Sequence, residues 1–301
     1  MNTISIAKRD AVMLIDDYLH VVSDNRQTYT DKEIGVAGIR LFGHMTNMSA
    51  QKTGLAMHIH PGCIEICYIV RGNQTYTIND EEYFLTGDNV FVAFQNQIHG
   101  SGLNPDGKFE LYWIQLEVNS GNFLELKKPL SDELLTSLKS LKTHKYQCSS
   151  SDKALIETAF KNLACDDICG DKLKKIIGVS SLVIFLSKIA GYDRAETLKI
   201  SPAIQKAKNY IENNPAQKIS LGFLAEYVSL SLSHFKKLFK RETGETPNDY
   251  INYLKIQKSK EMLKSGLNVT ETAFSLGFSS SSYFAAVFKH YTGMPPTEYR
   301  E

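Results

Sequence analysis

The side chains best suited to do chemistry begin in one short stretch, His58-x-His60-x4-Glu65, and are completed further along by His99. Three imidazoles and one carboxylate form a donor set that suits Mn, Fe or Ni. The same four groups could instead hydrogen-bond a polar ligand, or be satisfied histidines of a core or surface. On a strand, where successive side chains point to opposite faces, His58 and His60 share one face. Trp113, the only tryptophan, lies in FELYWIQLEV. Its flat ring suits the C–H face of a sugar, whose hydroxyls would need His, Glu and Arg partners. Arg40 and Tyr76 are further candidates on predicted strands, with outward-facing strand residues as the alternative reading.

A second set of residues has a different use. In Ser233-His234-Phe235-Lys236-Lys237-Leu238-Phe239-Lys240-Arg241, the spacing of Phe235, Leu238 and Phe239 at i, i+3 and i+4 predicts a helix whose apolar face is buried. Its opposite face carries Ser233, Lys236, Lys237 and Lys240, with Ser231 and His234 near its start. Short hydroxyl side chains bring the N–H groups of a helix start close to phosphate, and lysines neutralise neighbouring phosphates.

The elements that must position these groups follow from periodicity. From Ile34 to Val118 the chain alternates in short segments such as CIEICYIVRG, EEYFLTGD and NVFVAFQN, with turn signals between them. Such spacing predicts an antiparallel sandwich or barrel. After Pro129 the period becomes helical, over Ser131–Lys142, Asp152–Asp166 and Lys172–Ala190. The polar segment 191–201 reads as a linker between a domain over 1–190 and one over 202–301, which Pro202 opens at a favoured first-turn position.

The last hundred residues repeat. A shift of 49 residues lays Ser233–Arg241 on Ser282–His290, Thr243-Gly244 on Thr292-Gly293 and Pro247 on Pro296. Leu224-Ala225 answers Thr272-Ala273 one residue out of step. Each copy predicts a helix, a short turn and a second helix, which is a helix-turn-helix. In the second copy Ser280, Ser281, Ser282, Ala285 and Lys289 occupy the face that the lysines hold in the first. Between the copies, Pro247–Leu263 predicts one long helix with Lys255, Lys258 and Lys260 outward. A rod of that length can set two recognition helices about 34 Å apart, one turn of duplex DNA.

Counts narrow the class. With 301 residues, 43% hydrophobic and 22% charged, the chain has the mix of an ordinary globular protein. No apolar run reaches the roughly 18 residues of a membrane span, and acids interrupt the N-terminus where a signal peptide would be apolar, so a cytoplasmic protein is expected. Cys63, Cys67, Cys148, Cys165 and Cys169 are odd in number and read as free buried thiols. Residues 201–301 hold 13 Lys and Arg against 9 Asp and Glu, within a chain of net charge +1, so a basic module is joined to an acidic one.

The C-terminal pattern resembles the DNA-binding domain of the AraC/XylS family of transcription regulators. It is carried by Leu224-Ala225, Ser231-x-Ser233-x-Phe235-x-x-Leu238-Phe239-Lys240, Gly244-x-x-Pro247, Ala273-x-x-x-Gly277-Phe278, Ser282-Tyr283-Phe284-x-x-x-Phe288-Lys289, Gly293-Met294-x-Pro296 and Tyr299-Arg300. The resemblance implies a seven-helix domain that binds double-stranded promoter DNA, and control of transcription, usually activation through contact with RNA polymerase. Where that family commonly has a basic base-reader in the second recognition helix, this chain has Ala285-Ala286, so the second helix is expected to position the domain more than to read bases.

The N-terminal histidines, with Gly72, Gly87-Asp88 and His99, resemble the two motifs of a cupin barrel, the usual sensor domain of the same family. That implies an α+β chain of two domains: an antiparallel β cupin-like barrel followed by helices, then an all-α double helix-turn-helix. It also implies an effector pocket with no enzymatic activity and no cofactor, drawing on Arg40, His58, His60, Glu65, Tyr76, His99 and Trp113. Trp113 resembles the aromatic that packs on the sugar ring in arabinose-sensing relatives, so a saccharide effector is expected. The alternative is a metal-dependent cupin enzyme fused to a DNA-binding domain, with His58, His60, Glu65 and His99 as ligands. In relatives the helices after the barrel form a homodimer interface. The stripe Leu134-Leu135-x-x-Leu138-x-x-Leu141 is the candidate here, with packing inside the chain as its alternative.

Overall fold

The computed structural model describes residues 13–14, 21–48, 54–102, 104, 106–164, 172–192, 201–243 and 245–300. The strands are β1 (Met13–Leu14), β2 (Val21–Val22), β3 (Arg26–Thr30), β4 (Ile39–Asn47), β5 (His58–Ile59), β6 (Cys63–Ile78), β7 (Glu81–Thr86), β8 (Asn89–Ala93), β9 (His99–Gly100), β10 (Phe109–Glu117) and β11 (Lys145–Gln147). The helices are α1 (Asp31–Ile34), α2 (Leu130–Lys139), α3 (Ser150–Leu163), α4 (Lys172–Tyr192), α5 (Pro202–Asn213), α6 (Leu221–Tyr227), α7 (Leu232–Thr243), α8 (Pro247–Lys264), α9 (Val269–Ser275), α10 (Ser281–Thr292) and α11 (Pro296–Arg300).

The sheet is organised by β6, which is long enough to serve two ends of a half-barrel. Its first part, Glu65 to Tyr68, pairs antiparallel with β8, and its second part, Asn73 to Ile78, with β7. Strand β10 runs between β6 and β4, and β3 and β2 extend the same sheet. Gly72 sits at the bend of β6 with φ +81°, and a Cβ there would meet the Lys108 carbonyl oxygen at 1.9 Å. Only glycine permits both that conformation and that approach.

Both faces of β6 are covered, so its burial is nearly continuous, as expected of a strand buried on two sides. Ile64, Ile66 and Tyr68 pack with Leu134, Leu138, Phe160 and Phe185 of the helical layer. Cys67, Ile69, Tyr76 and Ile78 face the opposite way, with Phe91 and Leu111. Gly178 of α4 lies so close to α3 that a Cβ would meet Leu163 at 2.5 Å, which fixes how these two helices cross.

Among the described residues α5 to α11 make up a helical module of two small cores. One gathers Ile204, Leu224, Phe235, Phe239 and Ile251, and the other Ile256, Ala273, Phe284 and Phe288. The sequence repeat is a structural repeat. Ser229 (φ +59°) and Gly277 (φ +68°) make the same left-handed turn. Leu230 N–H donates to Ala225 O, as Phe278 N–H donates to Ala273 O.

Several expectations change. Leu134, Leu135, Leu138 and Leu141 are buried in the main core, so this stripe packs internally. Helix α4 instead carries a group of exposed apolar residues, with Leu173 71% exposed, Ile176 60%, Ile177 48% and Ile184 51%. Lys255 and Lys260 are buried, while Lys258 is exposed and paired with Glu261. The reason is that α8 serves both helical cores, which leaves it no single outward face. Cys63, Cys67 and Cys148 are buried free thiols, whereas Cys165, Cys169 and most of the 191–201 segment lie outside the described residues.

Candidate functional site: barrel cavity and nucleic-acid face

Strands β3, β4, β6 and β10 enclose a cavity of about 490 Å³. Alternation places Phe109, Leu111, Trp113 and Gln115 of β10 on its wall, because residues two apart share a face. The Trp113 ring lies on Gly43, its partner across the strand pair; a Cβ on Gly43 would meet ring atoms at 2.3 to 2.6 Å. The guanidinium carbon of Arg26 stands 5.5 Å from the centre of that ring. Asp106, also on the wall, accepts from Gln74 Nε2 at 2.6 Å and from Ser101 Oγ at 2.9 Å.

The four predicted ligand-type residues converge beside this cavity. His58, His60, Glu65 and His99 are all buried, and one nitrogen or carboxylate oxygen from each lies within 4.8 Å of the others. Three short strand segments bring them together: β5 carries His58, β6 carries Glu65 and β9 carries His99, with His58 directly opposite His99. Glu65 Oε2 accepts from Gln115 Nε2 at 2.9 Å and lies 3.1 Å from His60 Nε2, while Oε1 lies 3.2 Å from His99 Nε2. Burial opposes the charge on Glu65, but hydrogen bonds from His60 and His99 outweigh it and hold the carboxyl well below its usual range. Burial also opposes a charged His99, yet the bond to Glu65 raises its pKa. His58 is pushed down to about 4 by burial and by neighbouring His99.

The Nδ1 atoms of His58 and His99 stand 2.8 Å and 3.0 Å from the carbonyl oxygens of Ala56 and Gln97. An imidazole that donates from Nδ1 to a carbonyl presents Nε2 inward, the arrangement common for metal-ligating histidines. Ligand atoms about 2.0–2.2 Å from a divalent ion lie roughly 3–4 Å from one another, so the cluster fits such an ion after a small contraction.

Tyr76 and Trp113 join His58, His60 and Glu65 on the cavity wall, and His99 reaches it through Glu65. Arg40 does not. It lies on the face of β4 opposite Leu41 and Met45, where its Nε donates to Glu117 Oε1 at 3.1 Å. Sequence reasoning missed Arg26, Thr28, Gln74, Asp106 and Gln115. Gln115 was accessible from the alternation that selects Trp113; Asp106 lies outside any strand, where no period applies.

The nucleic-acid face is built from α7 and α10. Ser231 and Ser280 cap these helices, accepting from the N–H groups of His234 and Tyr283 at 3.3 Å and 3.1 Å. Ser233, His234, Lys236, Lys237, Lys240 and Arg241 are exposed, as are Ser282, Ala286 and Lys289, while Ser281 and Ala285 are half-buried. Lys236, Lys237, Lys240 and Arg241 line a groove of about 600 Å³ closed by Thr246 and Asn248. Tyr283, on the same helix, is 51% exposed beside Ala286.

A family model for an AraC-like ligand binding domain matches residues 48–120, and one for a helix-turn-helix domain matches 224–301. The chain belongs to the AraC family of transcription regulators. An HTH-type regulator in the cgkA 5' region of Pseudoalteromonas carrageenovora is 39% identical over 108 residues, covering 36% of this chain and 64% of the relative. The regulator YfiF of Bacillus subtilis is 24% identical over 268 residues, covering 87% and 82%. The xylose operon regulatory protein of Escherichia coli is 35% identical over 101 residues, which are 33% of this chain and 26% of the relative. Among solved structures, the C-terminal domain of AraT from Geobacillus stearothermophilus shares 28% identity over 34% of this AraC-family chain and 86% of its own, with a TM-score of 0.33. Fatty-acid-bound ToxT from Vibrio cholerae shares 13% identity over 94% and 97%, with a TM-score of 0.30.

Among the described residues, no helix is long and apolar enough to cross a membrane.

Proposed function

We propose that this AraC-family chain is a cytoplasmic, effector-controlled activator that binds double-stranded promoter DNA through α7 and α10 and contacts RNA polymerase. The reading is carried by the two capped helices, repeated in register, that present lysines and hydroxyls outward. The first helix reads bases, and the second, with Ala285 and Ala286, mainly holds the domain against phosphates. Specificity is then concentrated in one half-site. A randomised-duplex selection should return an information profile stronger under α7 than under α10, and equal profiles would refute this division.

The barrel cavity takes a small polar effector. A saccharide is the first class to test, because Trp113 offers a flat ring while Asp106, Gln74, Thr28 and Gln115 offer hydrogen-bond partners around it. A thermal-shift screen over sugars and other metabolites checks this. A ligand at 100 times its Kd stabilises by about 2.7 kcal/mol. If another metabolite class shifts the transition and no sugar does, the saccharide assignment fails. The same reading takes the exposed face of α4 as the surface on which a homodimer forms.

The geometry of His58, His60, Glu65 and His99 favours a second reading, a divalent transition metal in the barrel. It would supply a Lewis acid at the cavity wall, either to bind an anionic effector or to support a metal-dependent cupin enzyme. Metal analysis of purified chain and of His60→Ala separates the readings: stoichiometric metal lost in the variant supports the metal.

A further inference from the structure

The hydrogen-bonding capacity left on the cavity wall is lopsided. Asp106 Oδ1 accepts from Gln74 Nε2 at 2.6 Å, from Ser101 Oγ at 2.9 Å and from Leu55 N–H at 3.3 Å. All of these donors are neutral and none reaches Oδ2. Among the described residues no cationic side chain pairs with this carboxylate. Gln74 Nε2 spends its second proton on Ser101 Oγ at 2.8 Å, so that amide has only acceptor capacity left. On this part of the wall a ligand therefore meets an oriented, half-buried, negatively charged oxygen with no donor of its own.

Other wall groups repeat the pattern. Gln115, 3% exposed, points Nε2 at Glu65 Oε2, and turning the amide over would set two oxygens against each other. Its Oε1 is therefore an acceptor, and it is buried without a partner. Tyr76 spends its one proton on Cys67 Sγ at 3.5 Å, which leaves its oxygen lone pairs. Against these acceptors the wall sets the Thr28 hydroxyl and the Arg26 guanidinium, and Arg26 is exposed and lies over Trp113.

Neutral donors orient a carboxylate but leave its charge unanswered, and a ligand hydroxyl does no more. A ligand ammonium supplies N–H donors and the missing charge in one group. A ligand carboxylate or phosphate brings acceptors to a wall already rich in them. We propose that the effector carries a protonated amine seated on Asp106 Oδ2, with a further O–H or N–H donating to Gln115 Oε1. This rests on the reading that the barrel cavity binds an effector. Joined to the saccharide reading, which Trp113 carries, it names an amino sugar.

The test is a set of matched ligands on the full chain, followed by thermal shift and calorimetric titration. Glucosamine, galactosamine and mannosamine are each compared with the parent hexose and the N-acetyl derivative. Putrescine serves as an amine without a sugar, and glucuronate as an anion. At least one amine should bind about tenfold or more tighter than its hydroxyl and N-acetyl counterparts, the contribution of one charge-assisted bond. Asp106→Asn should erase that preference, because the amide keeps an oxygen for Gln74 and Ser101 but turns a donor toward the ligand. Trp113→Ala should weaken amine and hexose alike, which places both in the cavity. The proposal is overturned if no amine binds, if glucuronate binds more tightly than every amine, or if the amine preference survives in Asp106→Asn. The wild-type comparisons decide it even where Asp106→Asn fails to fold. Putrescine binding without any amino sugar keeps the amine and overturns the sugar. A hexose whose binding is lost in Trp113→Ala, with no amine bound, keeps the effector reading and overturns the amine.

Discussion

Glu65→Ala probes the polar cluster of the barrel most directly. The carboxylate is 4% exposed and meets Gln115, His60 and His99 at 2.9, 3.1 and 3.2 Å. Hydrogen bonds to a charged group contribute about 1.5–3 kcal/mol each, and removing one partner of a buried ionic pair costs roughly 3–5 kcal/mol. The three contacts are not additive, because His99 loses the proton that Glu65 favours and water can enter from the cavity. The expected loss is therefore about 3 kcal/mol, at the lower end. For a domain of roughly 150–250 residues that corresponds to a fall in Tm of about 6–12 °C. Differential scanning calorimetry in excess chelator would place the loss in the barrel transition and leave the helical module unmoved. Glu65→Gln keeps the shape and part of the bonding, and should lose about half as much. A Glu65→Ala loss below about 1 kcal/mol would refute the view that Glu65 anchors a closed network.

Four further outcomes are expected. Lys237→Ala should weaken specific DNA binding by roughly 1–3 kcal/mol, whereas Lys240→Ala should weaken all duplexes alike and flatten the salt slope by about one unit; equal losses on specific and random DNA for both would show that Lys237 reads no base. Gly277→Ala should destabilise the second helix-turn-helix by at least about 1 kcal/mol in urea melts, because its φ is +68° and its Cβ would meet the Lys218 nitrogen at 2.9 Å; Ser229→Gly should stabilise the first copy slightly, since glycine adopts that conformation without strain. Burial opposes the charge of Asp152, but bonds from Lys188 and Ser149 lower its pKa below 3.8, so its stabilisation is present above that pH and lost as pH falls through the lowered value; the Tm gap between wild type and Asp152→Asn should close on acidification, and a gap constant with pH would contradict this. On the proposal that α4 carries a homodimer surface, Ile177→Lys with Ile184→Lys should leave only monomer in sedimentation equilibrium without lowering the Tm, and a wild-type chain that is itself monomeric would refute that surface.

What could be read from the chain depended on how local its physical cause is. Helices α7 and α10 were legible because caps, apolar spacing and the Thr-Gly stop act within a few residues, and repetition fixed their register. The convergence of His58, Glu65 and His99 needed three strand pairings. Their residue types announced it, but Gln115, the amide that bonds Glu65, shows only once β10 is given its phase. Arg40 misled because the phase of β4 is set by Phe42, which packs outward on Phe160, and this puts Arg40 on the outer face with it. The lysines of α8 misled for a different reason. A helical wheel assumes one buried face, but α8 buries Ile251 in one small core and Ile256 in the other, and the barrel covers Lys260 as well. A lysine on such a helix is charged in sequence and structural in place.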